Sequence, residues 1–184
     1  WFTGRSLNDL CSTTQIALAT GLNQRGYPVT FINADSPDSH AAHPWKHQPM
    51  SAKAPRGLQS RTLAKKMRSW LLENEISSDS VVLLDWRIAK YLIPILQQRK
   101  IKWIIIDRGP PADKGILSFL QWPSWKRSWK YVKTNPSSHG CVVSEEHRNF
   151  VHKKTGVSLS SITVLPAGVD LDRFKTNDGF QKLT

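Results

Sequence analysis

Short apolar runs alternate with amphipathic segments along most of this chain, and this alternation constrains the fold more than any other feature. "YPVTFINA", "SVVLLD", "KWIIID" and "ITVLP" are rich in β-branched and aromatic residues, as buried strands are. Helical patterns such as "TTQIALATGLNQRG" and "SRTLAKKMRSWLLENEI" separate them. Continuous apolar strands that alternate with helices indicate a parallel sheet covered on both faces. The sequence therefore predicts a doubly wound, mostly parallel, Rossmann-like α/β domain.

The remaining segments extend this pattern. "WFTG" at the start of the chain is typical of the end of a first strand, and "GCVV" is a further strand. "WRIAKYLIPILQQRK" predicts a helix with a kink or a late start at Pro94. "KGILSFLQ" and "PSWKRSWKYVK" are two helical pieces broken at Pro123, and "SEEHRNFVHKKTG" is a helix that ends at Gly156. The polar stretch 36–59 has four prolines and no clear period, so we predict a long loop there.

Polar and charged residues follow the predicted strands at their carboxyl ends. In a doubly wound sheet these ends form the ligand-binding edge, at the point where the strand order reverses. A carboxylate beside a guanidinium can hold a sugar hydroxyl and a phosphate, so Asp107 and Arg108 are the strongest candidates for catalytic residues. The candidates for substrate binding are Gly4, Arg5, Ser6, Asp85, Gly109, Glu145 and Gly168.

Each candidate also has a purely structural alternative. Asp107 and Arg108 could form an ion pair that fixes a turn, and the first loop could simply be solvated. Asp85 occupies a position typical of a strand-end turn residue, and Glu145 could cap the helix that begins beside it. Gly168 fits a role in backbone geometry.

The chain carries a net charge of +12, and the excess is concentrated in two segments without acidic residues, 53–68 and 126–133. Aromatic rings lie near these cations, which is typical of a membrane interface or of a stacking surface for nucleic acid. Tryptophans packed inward beneath a solvated basic face are the alternative. We therefore expect an anionic partner, whether membrane, nucleic acid or phosphorylated substrate. The basic residues assigned to this surface are Lys65, Lys66, Arg68, Lys126, Arg127 and Lys130, and the tryptophans near them are Trp70, Trp122, Trp125 and Trp129.

Several other classes of site are not indicated. No apolar run approaches the length of a membrane span. His40, His43 and His47 straddle Pro44 and are joined by no cysteine or acid cluster, so we predict no metal site. The first loop, "GRSLND", lacks the G-x-G-x-x-G pattern of nicotinamide dehydrogenases. The two cysteines form no metal or redox pattern, as is typical of a protein from a reducing cytoplasm.

The closing stretch "GCVVSEEHRNFVHKKTGVSLSSITVLPAGVDLDRF" resembles the end of the N-terminal domain in retaining glycosyltransferases of family 4 (group 1). In that family a strand ending in valine-serine leads through a helix to a strand, a proline and a "GVD" with an aromatic residue shortly after. Here 143–145, 164–170 and Phe174 occupy those places. "LATGLNQRGYPVTFI", "VVLLDW" and "IKWIIIDRG" are similar to earlier parts of the family domain. The loop "TGRSLN" has one glycine where the family often has two, and Asp85 and Asp107 stand where it often has histidines.

The resemblance implies the glycosyltransferase B fold, in which two Rossmann-like domains face each other across a cleft. Residues 1–174 would form the N-terminal, acceptor-binding domain, and 175–184 would begin the linker to a C-terminal domain that binds the nucleotide-sugar. The implied enzyme is a hexosyltransferase that moves a sugar from a nucleotide-sugar to a glycan, lipid-linked or phosphorylated acceptor, with no cofactor beyond that co-substrate.

The resemblance and the charge together give expectations about context. We expect the chain alone to be inactive, and the enzyme to be cytoplasmic and peripheral on the inner face of the membrane. The alternative function is a basic α/β module that binds nucleic acid without catalysis.

Overall fold

The computed structural model describes residues 1–8, 12–36, 43–55, 58–111, 115, 119–135 and 137–166. Within these ranges the strands are β1 Thr30–Asn33, β2 Lys46–Pro49, β3 Val81–Asp85, β4 Lys102–Asp107, β5 His139–Val142 and β6 Ile162–Val164. The helices are α1 Thr13–Gln24, α2 Gln59–Glu73, α3 Trp86–Gln98, α4 Trp122–Thr134 and α5 Glu145–Thr155. The alternation of strands and helices confirms the predicted α/β class.

The strands form a parallel sheet whose two parts are joined by the first residues of the chain. β1 pairs with β2, and β3, β4, β5 and β6 pair in that order, all in parallel. Phe2 bridges Ile32 of β1 on one side and Leu84 of β3 on the other. The spatial order is therefore β2, β1, residues 1–3, β3, β4, β5 and β6. The expectation that "WFTG" ends a strand is consistent with these bridges.

The order of strands reverses beside this N-terminal segment. From residues 1–3 the chain moves to β1 and β2 on one side, and it then crosses back to β3 and continues outward on the other side. This reversal is the switch point of a doubly wound sheet, where the loops that follow two adjacent strands diverge and leave a crevice. The loops at the crevice are 4–8 and the start of α3, with the turn after β4 close by.

The apolar core is divided unequally between the two faces of the sheet. α2, α3, α4 and α5 supply Met67, Leu92, Trp125 and Val151 to one cluster. Among the described helices, only α1 contributes to the other cluster, which contains Ala19 and the aromatic rings of Trp1, Phe31 and Trp45. On this second face Ile104 and Ile106 of β4 and Cys141 of β5 are only partly buried. The expected cover on both faces is therefore incomplete over β4 to β6 in the described part of the chain.

Two local expectations differ from the structure. The stretch 36–59 was predicted as a loop, but it contains β2. The "KHQP" sequence of β2 lacks the apolar character of a buried strand, and β2 lies at the edge of the sheet, where such a sequence is tolerated. α3 begins at Trp86 and continues through Pro94 to Gln98, so the late start that was the alternative to a kink at Pro94 is wrong. Its start is set by Asp85, which accepts a hydrogen bond from the backbone N–H of Arg87 at 2.9 Å.

Candidate functional site

The loop after the N-terminal segment is fixed by a buried carboxylate at the end of β1. The Asp35 side chain accepts hydrogen bonds from the Ser6 hydroxyl and from the backbone N–H of Leu7, the latter at 3.2 Å. The Asn33 amide donates to the same carboxylate at 2.7 Å. Because the Ser6 hydroxyl is already engaged with Asp35, its evident role here is to shape the loop that carries Arg5. Its assignment to substrate binding stays a prediction.

Asp85 has a similar local role at the start of α3. It is 5 % exposed, and both carboxylate oxygens lie 3.5 Å from Nη1 of Arg87, in addition to the capping hydrogen bond. The Arg87 guanidinium stacks over the ring of Trp86 at 4.3 Å from its centroid. Sequence reasoning missed Arg87, because a basic residue in the first turn of a helix has no distinctive pattern. The available signal was Asp85, which lies two residues before Arg87 and caps the same helix.

These elements enclose a small cavity at the switch point, which we call the arginine cavity. It has a volume of about 160 Å³, and its charged lining consists of Arg5, Asp85, Arg87 and Arg108. Gly109 also lines it, so the structure brings together four residues that the sequence singled out from three separate strand ends. Three guanidinium groups against one carboxylate make the cavity cationic. Phosphate and carboxylate groups match the planar donors of arginine.

Asp107 is not among the residues that line this cavity, and it is completely buried. Its Oδ2 accepts hydrogen bonds from the indole N–H groups of Trp125 at 2.6 Å and Trp129 at 2.8 Å. Its Oδ1 accepts a hydrogen bond from the backbone N–H of Gly109 at 3.0 Å. This geometry gives Asp107 a structural role in fixing the turn, through indole and backbone donors, and its assignment as a catalytic residue stays a prediction. The same turn places Arg108 in the arginine cavity.

Three indoles hold this turn, and we call them the tryptophan clamp: Trp86, Trp125 and Trp129. Trp86 donates from Nε1 to the carbonyl oxygen of Gly109 at 3.2 Å. Gly109 has a φ of 153°, a region that favours glycine. The clamp therefore fixes both the carboxylate before Arg108 and the peptide group after it.

The clamp corrects part of the expected membrane surface. Trp125 and Trp129 are 0 % exposed, so they cannot lie among lipid headgroups. Their rings pack in the apolar core, and their N–H groups supply hydrogen-bond donors to the buried Asp107 carboxylate. The basic residues assigned to that surface are all exposed: Lys65, Lys66 and Arg68 on α2, and Lys126, Arg127 and Lys130 on α4.

The candidate Glu145 lies on α5. At the start of α5 the hydroxyl of Ser144 accepts the capping hydrogen bond from the backbone N–H of His147, so Glu145 is not the cap. Glu145 is largely exposed and forms an ion pair with Arg148 at 3.3 Å, and it is not among the residues that line the arginine cavity. Gly168 falls outside the described residues.

His147 is a second residue that sequence reasoning missed. It is 8 % exposed, and its Nε2 lies 3.6 Å from Oδ2 of Asp107. Neither ring nitrogen has a hydrogen-bond partner among the described residues. The signal was helical periodicity, because His147 lies one turn before the buried Val151 on α5.

The histidines near β2 form a separate group. The ring of His43 stacks on Trp45 at 4.1 Å between centroids, and His47 contacts Asn33 at 2.9 Å. Burial lowers the pKa of His43, the nearby His47 adds to this lowering, and Asp35 opposes it. Within the described ranges no three histidine, cysteine, aspartate or glutamate side chains are placed to hold a metal ion. His40 lies outside those ranges.

Comparison with known proteins identifies the family. The model of Glycosyltransferase Family 4 matches residues 12–173, which is most of the chain. The chain belongs to glycosyltransferase family 4. No curated protein matches it. The resemblance inferred from the sequence is thus confirmed, and family membership supports a transferase of the glycosyltransferase type that acts on sugar-nucleotide and acceptor substrates.

For a glycosyltransferase, the position of the arginine cavity is informative. It lies at the carboxyl ends of the strands, where doubly wound domains bind their ligands.

Among the described helices, none is long and apolar enough to cross a membrane.

Proposed function

We propose that this domain is the acceptor-binding half of a retaining hexosyltransferase, and that the arginine cavity binds an anionic group of the substrates. The observation that carries the proposal is the convergence of Arg5, Arg87 and Arg108 on one cavity at the switch point. The donor is a nucleotide-sugar, bound mainly by a second Rossmann-like domain. The acceptor is a glycan, a lipid-linked or a phosphorylated molecule.

The chemistry of transfer explains why such a site needs cations. A phosphorylated acceptor brings negative charge to the site, and further negative charge develops on the departing phosphate oxygen when the bond between the sugar and the diphosphate breaks. Fixed donors that already point toward that charge stabilise the transition state without reorganisation. The tryptophan clamp supplies this rigidity, because it fixes the turn that carries Arg108. The Asp85 carboxylate likewise fixes the start of α3, which carries Arg87, because it accepts a hydrogen bond from the backbone N–H of Arg87.

The test is sugar transfer by an enzyme that contains this domain, with Arg108→Gln compared with Arg25→Gln. Arg25 is an exposed arginine at the end of α1 and serves as the matched control. Arg108→Gln should lower kcat/KM at least about tenfold, equivalent to roughly 1.4 kcal/mol of transition-state stabilisation, and should leave folding intact. Equal rates for the two variants would remove the arginine cavity from the mechanism. Sustained transfer by residues 1–184 alone would contradict the two-domain proposal.

We also propose that the enzyme works at an anionic membrane surface, on the cytoplasmic side. Phe119 and Leu120 are 74 % and 65 % exposed immediately before α4. The outer side of α4 presents Lys126, Arg127 and Lys130. Apolar side chains followed by a basic helix match the interfacial pattern, and each cation near such a surface contributes about 1 kcal/mol. In this proposal Phe119 and Leu120, and not the buried Trp125 and Trp129, are the side chains that enter the membrane interface.

Vesicle co-sedimentation tests the membrane proposal. Binding should require anionic lipid, weaken with salt, and fall when the three α4 cations become glutamine. The matched control removes the same charge from Lys46, Lys100 and Lys102, which are exposed near the opposite ends of the strands. Equal losses in both variants would show that only net charge matters. Tight, salt-dependent binding to arbitrary DNA without vesicle binding would favour the nucleic-acid alternative.

A further inference from the structure

A second cavity adjoins the arginine cavity on the incompletely covered face of the sheet. We call it the α1 groove, because it lies between α1 and the carboxyl ends of β4, β5 and β6. Its volume is about 310 Å³, and its apolar lining includes Leu18, Ile106, Val143, Leu165 and Pro166. This volume is roughly twice that of a dry cavity that admits benzene, so it can hold an apolar group of about ten carbon atoms.

The two cavities share walls. Gln15, Ile106 and Arg108 line both of them. A ligand that fills the α1 groove would therefore extend toward the guanidinium groups of the arginine cavity. This arrangement suits an amphiphilic molecule whose apolar part and anionic group are directly connected.

Two buried polar atoms beside the groove lack partners. Oε1 of Gln15 and Nε1 of Trp1 have no hydrogen-bond partner among the described residues, although both side chains are more than nine-tenths buried. Both residues line the α1 groove. Buried polar groups are normally paired, and exceptions concentrate where a ligand or water completes the bonding. Rotation of the Gln15 side chain would bring its amide onto a ligand at the junction of the two cavities.

Within the described ranges, the apolar walls of the groove also lack cover. Ile106 and Val143 are half-buried, and Leu165 is 38 % exposed. In the interior of a doubly wound domain such residues would normally pack against a helix. The adjacent arginines favour an occupant with a negative charge at one end over a purely apolar one.

We propose that the α1 groove binds the apolar portion of the acceptor, and that this acceptor is an alkyl or isoprenyl phosphate whose phosphate lies in the arginine cavity. This inference rests on the proposed function and narrows its substrate class, from the three acceptor types above to an amphiphilic phosphate.

The test compares probes that separate the two contributions. Isothermal titration calorimetry would measure binding of decyl phosphate, below its micelle concentration, and of methyl phosphate. Decyl phosphate should bind at least about tenfold more tightly, because only its chain can fill the groove. Val143→Trp should remove most of that difference, since the added ring would occupy the groove. Leu165→Trp, at a more exposed wall, provides a second variant in case the first disturbs folding.

The matched control is Val81→Trp. Val81 is exposed at the start of β3, on the same face as Leu83 but at the opposite end of the strands from the groove. It should leave the decyl phosphate affinity unchanged. Gln15→Leu should raise the melting temperature, because it removes an unpaired buried amide oxygen, and should weaken decyl phosphate binding by at least about threefold.

The remaining outcomes separate failure of this inference from failure of the proposed function. Equal affinities for decyl and methyl phosphate, with transfer still dependent on Arg108, would overturn the groove assignment and leave the arginine cavity in place. If the protein does not bind methyl phosphate and Arg108→Gln does not change the rate of transfer, both the groove assignment and the proposed role of the arginine cavity are wrong. Tight decyl phosphate binding that Val143→Trp and Leu165→Trp leave intact would show non-specific adsorption and overturn the groove. A dimer of the chain that Val143→Trp dissociates would assign the groove to a second copy instead.

Discussion

Trp125→Phe should destabilise the domain by about 2–4 kcal/mol, although it preserves an aromatic ring in the core. The change removes the 2.6 Å hydrogen bond from the indole to Oδ2 of Asp107, a carboxylate with no solvent exposure. A hydrogen bond to a charged group contributes about 1.5–3 kcal/mol, and the smaller ring adds a packing loss. Trp129 still donates to the same oxygen, which keeps the loss below that of an unpaired buried charge.

Urea denaturation followed by circular dichroism would measure this change. In a chain of this size 1 kcal/mol corresponds to about 2–4 °C in melting temperature, so a thermal scan should show a fall of roughly 4–16 °C. Trp122→Phe is the control, because Trp122 lies on the same helix but is only half-buried. We expect it to cost less than about 1 kcal/mol. Methyl phosphate binding should also weaken in Trp125→Phe, since the clamp fixes the turn that carries Arg108.

Gly140→Ala tests the same clamp from another strand. A Cβ atom at Gly140 would lie 2.2 Å from the ring of Trp129, so the ring must move and its hydrogen bond to Asp107 must lengthen or break. This variant should therefore reproduce the loss of stability without changing any group that donates or accepts a hydrogen bond. If the free energies of unfolding of Trp125→Phe and Gly140→Ala both lie within about 0.5 kcal/mol of the wild-type value, the tryptophan clamp does not stabilise the domain. The Asp107 carboxylate would then be accessible to water.

Three further predictions concern other parts of the domain. Arg99→Ala should lower the free energy of unfolding by about 1–3 kcal/mol in urea denaturation, because its guanidinium donates to three carbonyl oxygens at the end of α2, at 2.6, 2.9 and 3.0 Å; Arg99→Lys should recover only part of the loss. In a Cys11→Ser background, iodoacetamide should alkylate Cys141 more slowly at pH 8 than it alkylates a cysteine peptide, because burial raises the pKa of this thiol; an equal rate would contradict that burial. Between pH 7 and pH 5, His43→Gln should lose less stability than the wild type. The pKa of His43 is lowered below 6.5 in the folded protein, so as the pH falls this histidine is protonated first in the unfolded chain, which destabilises the wild type. Parallel pH profiles of the free energy of unfolding would exclude this contribution.

The sheet and the position of the cavity could be predicted from the sequence because both follow from local patterns. Apolar runs of strand length fix the strands, and the switch-point rule then places their carboxyl ends together. Arg5, Asp85, Arg108 and Gly109 were singled out on this basis, and the structure brings them to one cavity. The rule needs no knowledge of individual side-chain contacts.

The roles of Asp107, Trp125 and Trp129 could not be predicted in this way. Lysines and arginines between the tryptophans suggested a surface, but one side of α4 is buried against α3, α5 and β5 and the other is solvated. The pairing of indoles with a carboxylate 18 and 22 residues earlier is a tertiary contact that helical periodicity does not reveal. Inward packing of the tryptophans was the alternative reading, and it is the one the structure supports.

The bridge formed by Phe2 also constrains when this domain can fold. The backbone N–H of Phe2 donates to the carbonyl oxygen of Leu83 at 2.9 Å, and that of Thr3 donates to Ile32 at 3.0 Å. The middle of the sheet is therefore completed by residues that leave the ribosome long before β3 is synthesised. Contacts between such distant positions slow folding, since a large loop must close before the pairing gains any stability. During synthesis the first residues of the domain must wait for β3, and until then the edges of β1 and of the N-terminal segment are open to pairing with other chains.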